Sequence, residues 1–213
     1  MNHVKYPRTC HLPWSNPSKD DKIIKSLDNF KGKEVVVTLK MDGENFTGYS
    51  DYCHARSLEP LFGEDRGIAK SIWASIAHEI PIGWRFCAEN MYAKHSIEYE
   101  DLESYLLVFS FWDDQNICLS WDDTIEYCRL LNLHTVPVIY RGIWDEKEIQ
   151  KIFEENYDEE TNEGYVVRLS SEFSFDDFKN CVAKYVRKNH VQPNIKHWRS
   201  AKIVPNKLKT RDN

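Results

Sequence analysis

Long apolar runs, paired cysteines and several common catalytic motifs are missing from this sequence, and each absence excludes a class of protein. No stretch approaches the roughly 20 apolar residues of a membrane-spanning helix, so no transmembrane helix is predicted. Residues 1–20 are polar and contain proline, so no secretory signal is predicted either. We therefore expect a cytoplasmic protein without a membrane partner.

The six cysteines are scattered along the chain, and none occurs in a Cys-x-x-Cys pair. Without a secretory route, this pattern indicates reduced thiols rather than a disulfide framework. No cluster of cysteine and histidine predicts structural zinc. The sequence also lacks a Gly-x-x-x-x-Gly-Lys-Ser/Thr loop and a His-Glu-x-x-His motif. A P-loop nucleotide site and a zinc protease site of that type are therefore excluded.

The charge of the chain is unevenly distributed. The sequence has 28 lysine and arginine residues against 34 aspartate and glutamate residues, for a net charge of −6. Residues 179–211 nevertheless contain ten basic residues and no acidic one. Such a segment could follow a phosphate backbone; a solvated terminal segment is the alternative. The candidate nucleic-acid contacts are Lys188, Lys196, Trp198, Arg199 and Lys202.

The hydrophobic pattern predicts short helices mixed irregularly with strands. Strands are predicted at 34–39, 84–92, 105–112, 136–140, 164–169 and 181–187. Helices are predicted at 18–27, 68–80, 122–131 and from 145 onward. The second helix follows isoleucines that recur every four residues, and the last has Glu148 at the capping-box position. This mixture favours an α+β fold with antiparallel sheets.

The most informative motif is Lys40-Met41-Asp42-Gly43, which directly follows the predicted strand at 34–39. Asp-Gly predicts a tight turn, so Lys40 lies at a strand end where packing can hold its amine still. Taken alone, this motif fits a surface lysine before a hairpin turn better than it fits a nucleophile. Asn45 either caps the turn or binds a nucleotide, and the sequence leaves both open.

Further blocks follow this motif in a fixed order. They are residues 54–57 (His-Ala-Arg-Ser), 85–90 (Arg-Phe-Cys-Ala-Glu-Asn), 105–110 (Tyr-Leu-Leu-Val-Phe-Ser), 163–168 (Glu-Gly-Tyr-Val-Val-Arg) and 183–187 (Ala-Lys-Tyr-Val-Arg). Their order resembles the covalent nucleotidyltransferases, the superfamily of ATP-dependent ligases and mRNA capping enzymes. Residues 7–14, 40–45 and 54–57 more narrowly resemble small RNA ligases of phages and bacteria. The resemblance implies a core of two antiparallel sheets that enclose an ATP cleft, with flanking helices.

The resemblance also implies the catalytic residues. Lys40 would attack the α-phosphate of ATP, which gives a lysyl-AMP and releases pyrophosphate. A lysine attacks as the neutral amine, so its pKa of about 10.4 must be depressed by burial or by neighbouring cations. Glu163 would bind a divalent metal, Mg²⁺ or Mn²⁺, that neutralises phosphate charge. Lys184 would contact the α-phosphate.

Other residues are implied to bind the nucleotide. Arg56 would lie near ribose and phosphate, where a guanidinium fork suits the geometry. Glu89 would accept a hydrogen bond from the ribose hydroxyls. Phe109 would stack on adenine. Phe111, two residues on, is expected to point the same way along a strand, and the sequence does not decide between the two rings.

Three further residues, Asp42, Gly43 and Arg187, are also candidates for binding the nucleotide. Asp42 and Gly43 belong to the lysine motif and are implied to bind the nucleotide, and Gly43 is expected to supply a positive φ. Arg187 is a candidate phosphate contact in place of a second motif lysine, because Val186 occupies the position where many relatives have one. Arg187 would, however, leave the strand on the opposite face.

The sequence thus predicts an ATP-dependent RNA ligase that joins 5′-phosphate and 3′-hydroxyl RNA ends through an adenylylated 5′ end. It is expected to be a monomeric single domain (1–213) with a short basic C-terminal segment (188–213). No OB-fold is expected, because only 29 residues follow Lys184. End-healing kinase and phosphatase enzymes are expected partners in a bacterial or phage-infected cell. The alternatives are a minimal DNA ligase, an mRNA guanylyltransferase and a degenerate RNA-binding module.

Overall fold

The computed structural model describes residues 3–58, 63–158, 161–188 and 203–210. Within these ranges the chain forms twelve strands: β1 (Cys10–His11), β2 (Glu34–Leu39), β3 (Glu44–Tyr49), β4 (Cys53–His54), β5 (Arg85–Asn90), β6 (Leu106–Trp112), β7 (Ile117–Cys118), β8 (His134–Thr135), β9 (Val138–Ile143), β10 (Gly164–Leu169), β11 (Phe173–Ser174) and β12 (Val182–Val186). The helices there are α1 (Gly67–Ile76), α2 (Trp121–Leu130), α3 (Glu146–Asn156) and α4 (Phe178–Cys181). None of them is long and apolar enough to cross a membrane.

The strands form two sheets. The first has five strands in the order β1-β12-β10-β2-β9, and only β1 runs parallel to its neighbour. The second has seven strands, in the order β11-β7-β6-β5-β3-β4 with β8 parallel to β6. A shared hydrophobic core joins them, because Val37 and Val167 of the first sheet pack in one cluster with Cys87 and Trp112 of the second. The sheets therefore face each other across a common interior.

The predicted helices are largely confirmed. Helix α1 and the 3-10 turn Ala77–Glu79 cover the isoleucine repeat, and Ile76 and Ile80 are buried. Asp145 caps α3 by accepting a hydrogen bond from the Glu148 backbone N–H at 3.0 Å.

The helix predicted at 18–27 is wrong. That segment instead lies beside β1, where the His11 N–H donates to Lys22 O at 2.7 Å and the Ile24 N–H donates to His11 O at 2.8 Å. Ile24 is buried in the core. Pairing with β1 satisfies the backbone and buries this side chain, so tertiary context overrides local helix propensity.

Residues 203–210 pack along residues 91–103 instead of extending away from the fold. Backbone hydrogen bonds join the two segments, among them the Asn206 N–H to Tyr92 O and the Lys207 N–H to Tyr99 O, both at 2.8 Å. Two of the ten cations of residues 179–211 are ion-paired here, Lys207 with Glu100 at 2.6 Å and Lys209 with Glu103 at 3.1 Å. This part of the predicted basic segment is therefore attached to the core.

Candidate active site

A cleft of about 480 Å³ lies between the two sheets. The first sheet contributes Lys184 and, directly after β2, Lys40; the second contributes Asn45, Glu89 and Phe109. The five side chains come from four distant parts of the sequence, as the motif order implies. Sheet pairing brings them to one cavity whose size suits a small-molecule ligand.

Lys40 is held by both its backbone and its side chain. Its backbone N–H donates to Gly164 O at 2.9 Å, and its ammonium donates to Glu163 Oε2 at 2.5 Å. Burial lowers the pKa of Lys40, but the carboxylates of Glu163, Glu89 and Asp42 outweigh burial, and the pKa is raised. The protein's own residues therefore do not depress this pKa, contrary to the expectation from the sequence.

Glu163 is fixed by the turn that leads into β10. Its side chain is 5% exposed, and its backbone carbonyl accepts a hydrogen bond from the Arg187 N–H at 3.1 Å. The next residue, Gly164, has φ +150°, and a Cβ there would lie 2.1 Å from Tyr185 O. Only glycine fits this close approach, so Gly164 secures the position of the carboxylate.

Asn45 and Glu89 are direct neighbours across β3 and β5. Burial raises the pKa of Glu89 to about 8; Lys40 opposes this shift, and the Glu163 and Asp42 carboxylates add to it. The Asn45 Oδ1 atom is buried and has no hydrogen-bond partner in the described part of the chain. Buried polar atoms are normally bonded, so this oxygen indicates a ligand donor in the cleft.

Asp42 holds a neighbouring loop instead of lining the cleft. Its Oδ2 accepts hydrogen bonds from the backbone N–H and the hydroxyl of Ser96, at 2.8 and 2.5 Å, and from the Ile97 N–H at 3.0 Å. The Asp42 N–H donates to the Tyr99 hydroxyl at 3.1 Å. These contacts position the lysine motif, and the nucleotide contact predicted for Asp42 stays a prediction.

Gly43 is required for space and not for a positive φ, so that expectation is wrong. Its φ is not in the left-handed region. A Cβ at Gly43 would lie 2.5 Å from Asn90 O, 2.8 Å from Met91 Sδ and 2.9 Å from Glu89 Cγ. The residue must be glycine because β5 passes too close for any side chain.

Phe109 and Phe111 do not point the same way, contrary to the expectation from strand alternation. The register between β5 and β6 shifts by one residue, since Cys87 pairs with Ser110 and Ala88 with Val108. Phe109 is the extra residue of this β-bulge, and a bulge breaks the alternation of side chains. Phe109 lines the cleft, whereas Phe111 is 1% exposed in a separate core cluster. The placement favours Phe109 as the ring available to a base.

Lys184 and Asp21 both line the cleft, and the sequence motifs did not indicate Asp21. It is paired in register with His11 of β1, and His11 Nε2 lies 3.3 Å from Asp21 Oδ2. Burial lowers the pKa of Lys184; Asp21 opposes this shift and Lys40 reinforces it. The block at residues 7–14 was visible in the sequence, but nothing there indicated that Asp21 lines the cleft.

Of the remaining predicted site residues, one lines the cleft, two lie outside the cleft, and four lie outside the described residues. Arg56 lines the mouth of the cleft and is exposed. Arg187 does not line the cleft, which agrees with its expected exit on the other face. Lys188 is exposed beyond β12. Three lysine or arginine candidates and the tryptophan of the basic segment lie outside the described residues: Lys196, Trp198, Arg199 and Lys202.

Comparison with known proteins places the chain in a family. The family model described as RNA ligase matches residues 33–186. No curated protein matches the sequence. Similar solved structures include a proposed ATP-dependent DNA ligase from Aquifex aeolicus, with a TM-score of 0.57 and 23% identity over 85% of this chain and 49% of that one.

Two RNA ligases have the same fold. A Naegleria gruberi RNA ligase with pyrophosphate has a TM-score of 0.58 and 17% identity over 87% of this chain and 61% of that one. An archaeal ATP-dependent RNA ligase has a TM-score of 0.58 and 15% identity over 85% and 48%.

The chain thus spans about half to three fifths of the length of these structures. The likeness confirms the predicted α+β nucleotidyltransferase fold, and because the family model matches well over half of the sequence, the chain belongs to the RNA ligase family.

Proposed function

We propose that the protein is an ATP-dependent RNA ligase that joins 5′-phosphate and 3′-hydroxyl RNA ends through a lysyl-AMP and an adenylylated 5′ end. The observation that carries this proposal is the arrangement of Lys40. Lys40 lines the same cleft as Lys184, and its amine donates to the Glu163 carboxylate, in a member of the RNA ligase family.

In the first step the Lys40 nitrogen attacks the α-phosphorus of ATP. An N–P bond forms, and the P–O bond to pyrophosphate breaks. The raised pKa of Lys40 keeps its amine protonated at neutral pH, so a proton must leave before attack. Glu163 Oε2, at 2.5 Å, accepts the hydrogen bond that orients this amine, and the proton itself passes to water. The positive charge of Lys184 stabilises the pentavalent α-phosphate as negative charge develops.

The cleft offers a place for each part of ATP. Phe109 presents a ring to adenine, the unpartnered Oδ1 of Asn45 and the carboxyl of Glu89 face the ribose, and Arg56 and Lys184 face the phosphates.

The acidic residues of the site could supply some, but not all, of the ligands of a divalent ion. The described residues contain no group of three or more His, Cys, Asp or Glu side chains that could hold a metal alone. Mg²⁺ usually binds one or two carboxylates together with substrate phosphates, so Glu163 would hold Mg²⁺ or Mn²⁺ jointly with ATP. The ion would neutralise phosphate charge. In support, a Naegleria gruberi RNA ligase variant was solved with ATP and manganese.

RNA is the proposed substrate because the family model is that of RNA ligases. A minimal DNA ligase is the second candidate, because the Aquifex aeolicus structure is similar to this chain. We also propose that the chain acts as a monomeric single domain in the cytoplasm, with the basic segment from Lys188 onward near the polynucleotide and end-healing enzymes supplying its substrates.

The test is an assay with α-labelled ATP or GTP, magnesium, and nicked or single-stranded RNA and DNA. The proposal predicts a labelled protein with ATP and not with GTP, an adenylylated 5′ end, and joined RNA. Lys40→Arg is the matched control, because it keeps the positive charge but removes the nucleophile. Labelling with GTP alone would favour a guanylyltransferase, and joining of DNA but not RNA would favour the second candidate.

A further inference from the structure

An open cavity of about 530 Å³ adjoins the catalytic cleft at its mouth. We call it the mouth cavity; its lining residues are Lys5, Tyr6, Pro7, Arg8, Arg56 and Ser57. All of these except Lys5 also line the cleft. The mouth cavity is therefore continuous with the space around Lys40.

The mouth cavity is lined by three cations and by no acidic residue, although the protein has a net charge of −6. Lys5 and Arg56 are exposed, and the Arg8 side chain is 54% exposed. In the part of the chain that the structure describes, no carboxylate is within ion-pair distance of Lys5 or Arg56. Arg8 Nε lies 4.0 Å from Asp21 Oδ1, so two of the three cations lie here without a counter-charge, and such a surface attracts anions.

The N-terminal segment is anchored where it borders both cavities. The Val4 N–H donates to the Tyr49 hydroxyl at 2.8 Å. The Tyr6 ring packs edge-on against Phe109 and Phe178, with ring centroids 5.1 and 5.3 Å apart. Arg8 donates to Asp20 O at 3.0 Å. These contacts fix the segment as a wall of the mouth cavity, so the cations on it are held near the cleft.

A row of positive charge connects the cleft floor to the mouth. Burial is the main cause of the lowered pKa of Lys184, and the charges of Lys40 and Arg56 add to it. Arg56 and Lys184 both line the cleft, and Arg56 also lines the mouth cavity together with Arg8 and Lys5. An anion that enters at the mouth therefore meets cations both there and at Lys184, although the carboxylates of Asp21, Glu44 and Glu89 also line the cleft.

We propose that the mouth cavity is a phosphate subsite, formed by Lys5, Arg8 and Arg56, that binds the 5′-phosphate end of the RNA strand during AMP transfer. The inference rests on the proposed function. In that step an oxygen of the 5′-phosphate attacks the phosphorus of the lysyl-AMP. A P–O bond forms, the N–P bond breaks, and the Lys40 nitrogen takes up a proton. Pyrophosphate has the same chemistry and is the competing occupant, because it leaves in the first step.

The experiment separates the two steps with Lys5→Gln, Arg8→Gln and the double variant. Purified lysyl-AMP enzyme is mixed with 5′-phosphorylated RNA without ATP, and AMP transfer is followed over a single turnover. Each substitution should raise the half-saturating RNA concentration about tenfold, since it removes a charge-assisted contact. The slope of log affinity against log salt should flatten by about 0.7 per removed cation. Self-adenylylation with ATP and its reversal by pyrophosphate should stay within about twofold of wild type.

The controls separate the possible results. Lys25→Gln removes an exposed lysine that lines neither the cleft nor the mouth cavity. This variant should leave every rate unchanged. RNA with a 5′-hydroxyl should bind wild type and variants equally. Slower adenylylation and pyrophosphorolysis with unchanged AMP transfer would assign the subsite to pyrophosphate and overturn the proposal. Unchanged AMP transfer in the double variant would also overturn it. A wild-type protein that forms no lysyl-AMP would instead refute the proposed function itself.

Discussion

Asn206 is the buried residue of the 203–210 segment. It is 2% exposed. Its Nδ2 donates to Met91 O at 2.7 Å, and its Oδ1 accepts from the Tyr99 N–H at 3.0 Å. Asn206→Ala removes both bonds and leaves two backbone groups without partners. At about 1–3 kcal/mol for each unsatisfied buried group, and less for the half-buried Tyr99, the loss of stability should be about 3 kcal/mol.

Thermal unfolding followed by circular dichroism measures this loss. For a chain of this size 1 kcal/mol corresponds to about 2–4 °C, so Tm should fall by about 6–12 °C. The rate of self-adenylylation should fall as well, because Tyr99 also bonds the Asp42 N–H of the lysine motif.

Lys207→Ala is the matched control at the adjacent position. Its ion pair with Glu100 is exposed, with side chains 64% and 68% accessible, and exposed pairs contribute little. Tm should therefore remain near that of wild type. The reasoning is refuted if Asn206→Ala melts like wild type, or if the two variants lose equal stability.

Three further predictions follow from single side chains. Gly43→Ala should lower adenylylation and cost about 1–3 kcal/mol of stability, measured by urea unfolding, because its Cβ would meet β5. Phe109→Ala should raise the half-saturating ATP concentration, whereas Phe111→Ala should mainly lower stability, by about 3–5 kcal/mol; the reverse result would swap their roles. Burial lowers the pKa of His54, so the unfolded chain binds a proton that the folded chain does not. Stability should fall as pH drops below about 6.5, and Tm in His54→Gln should depend less on pH.

The sequence predicted those parts of the fold that depend on local pattern. The strand at 164–169 was predicted with its observed bounds, and Asp145 caps α3 as its spacing with Glu148 indicated. Residues 18–27 failed because their pairing with β1 is long-range and leaves no local signal.

At the site, too, the sequence motifs predicted which residues meet, but not the local geometry that positions them. Lys40, Glu89 and Lys184 meet in one cleft as the motif order implied. The bulge at Phe109 was not predictable, because it arises from the register between two strands. The loop contacts of Asp42 and the packing of residues 203–210 also depend on tertiary neighbours that composition does not reveal.

The central claim is that the Lys40 amine is the nucleophile toward ATP. The direct measurement is peptide mapping by mass spectrometry after incubation with ATP and magnesium, on wild type and on Lys40→Ala. The account predicts one AMP on the peptide that contains Lys40, with no AMP anywhere in Lys40→Ala. An AMP adduct on another residue of the wild type, or one that persists in Lys40→Ala, would contradict it.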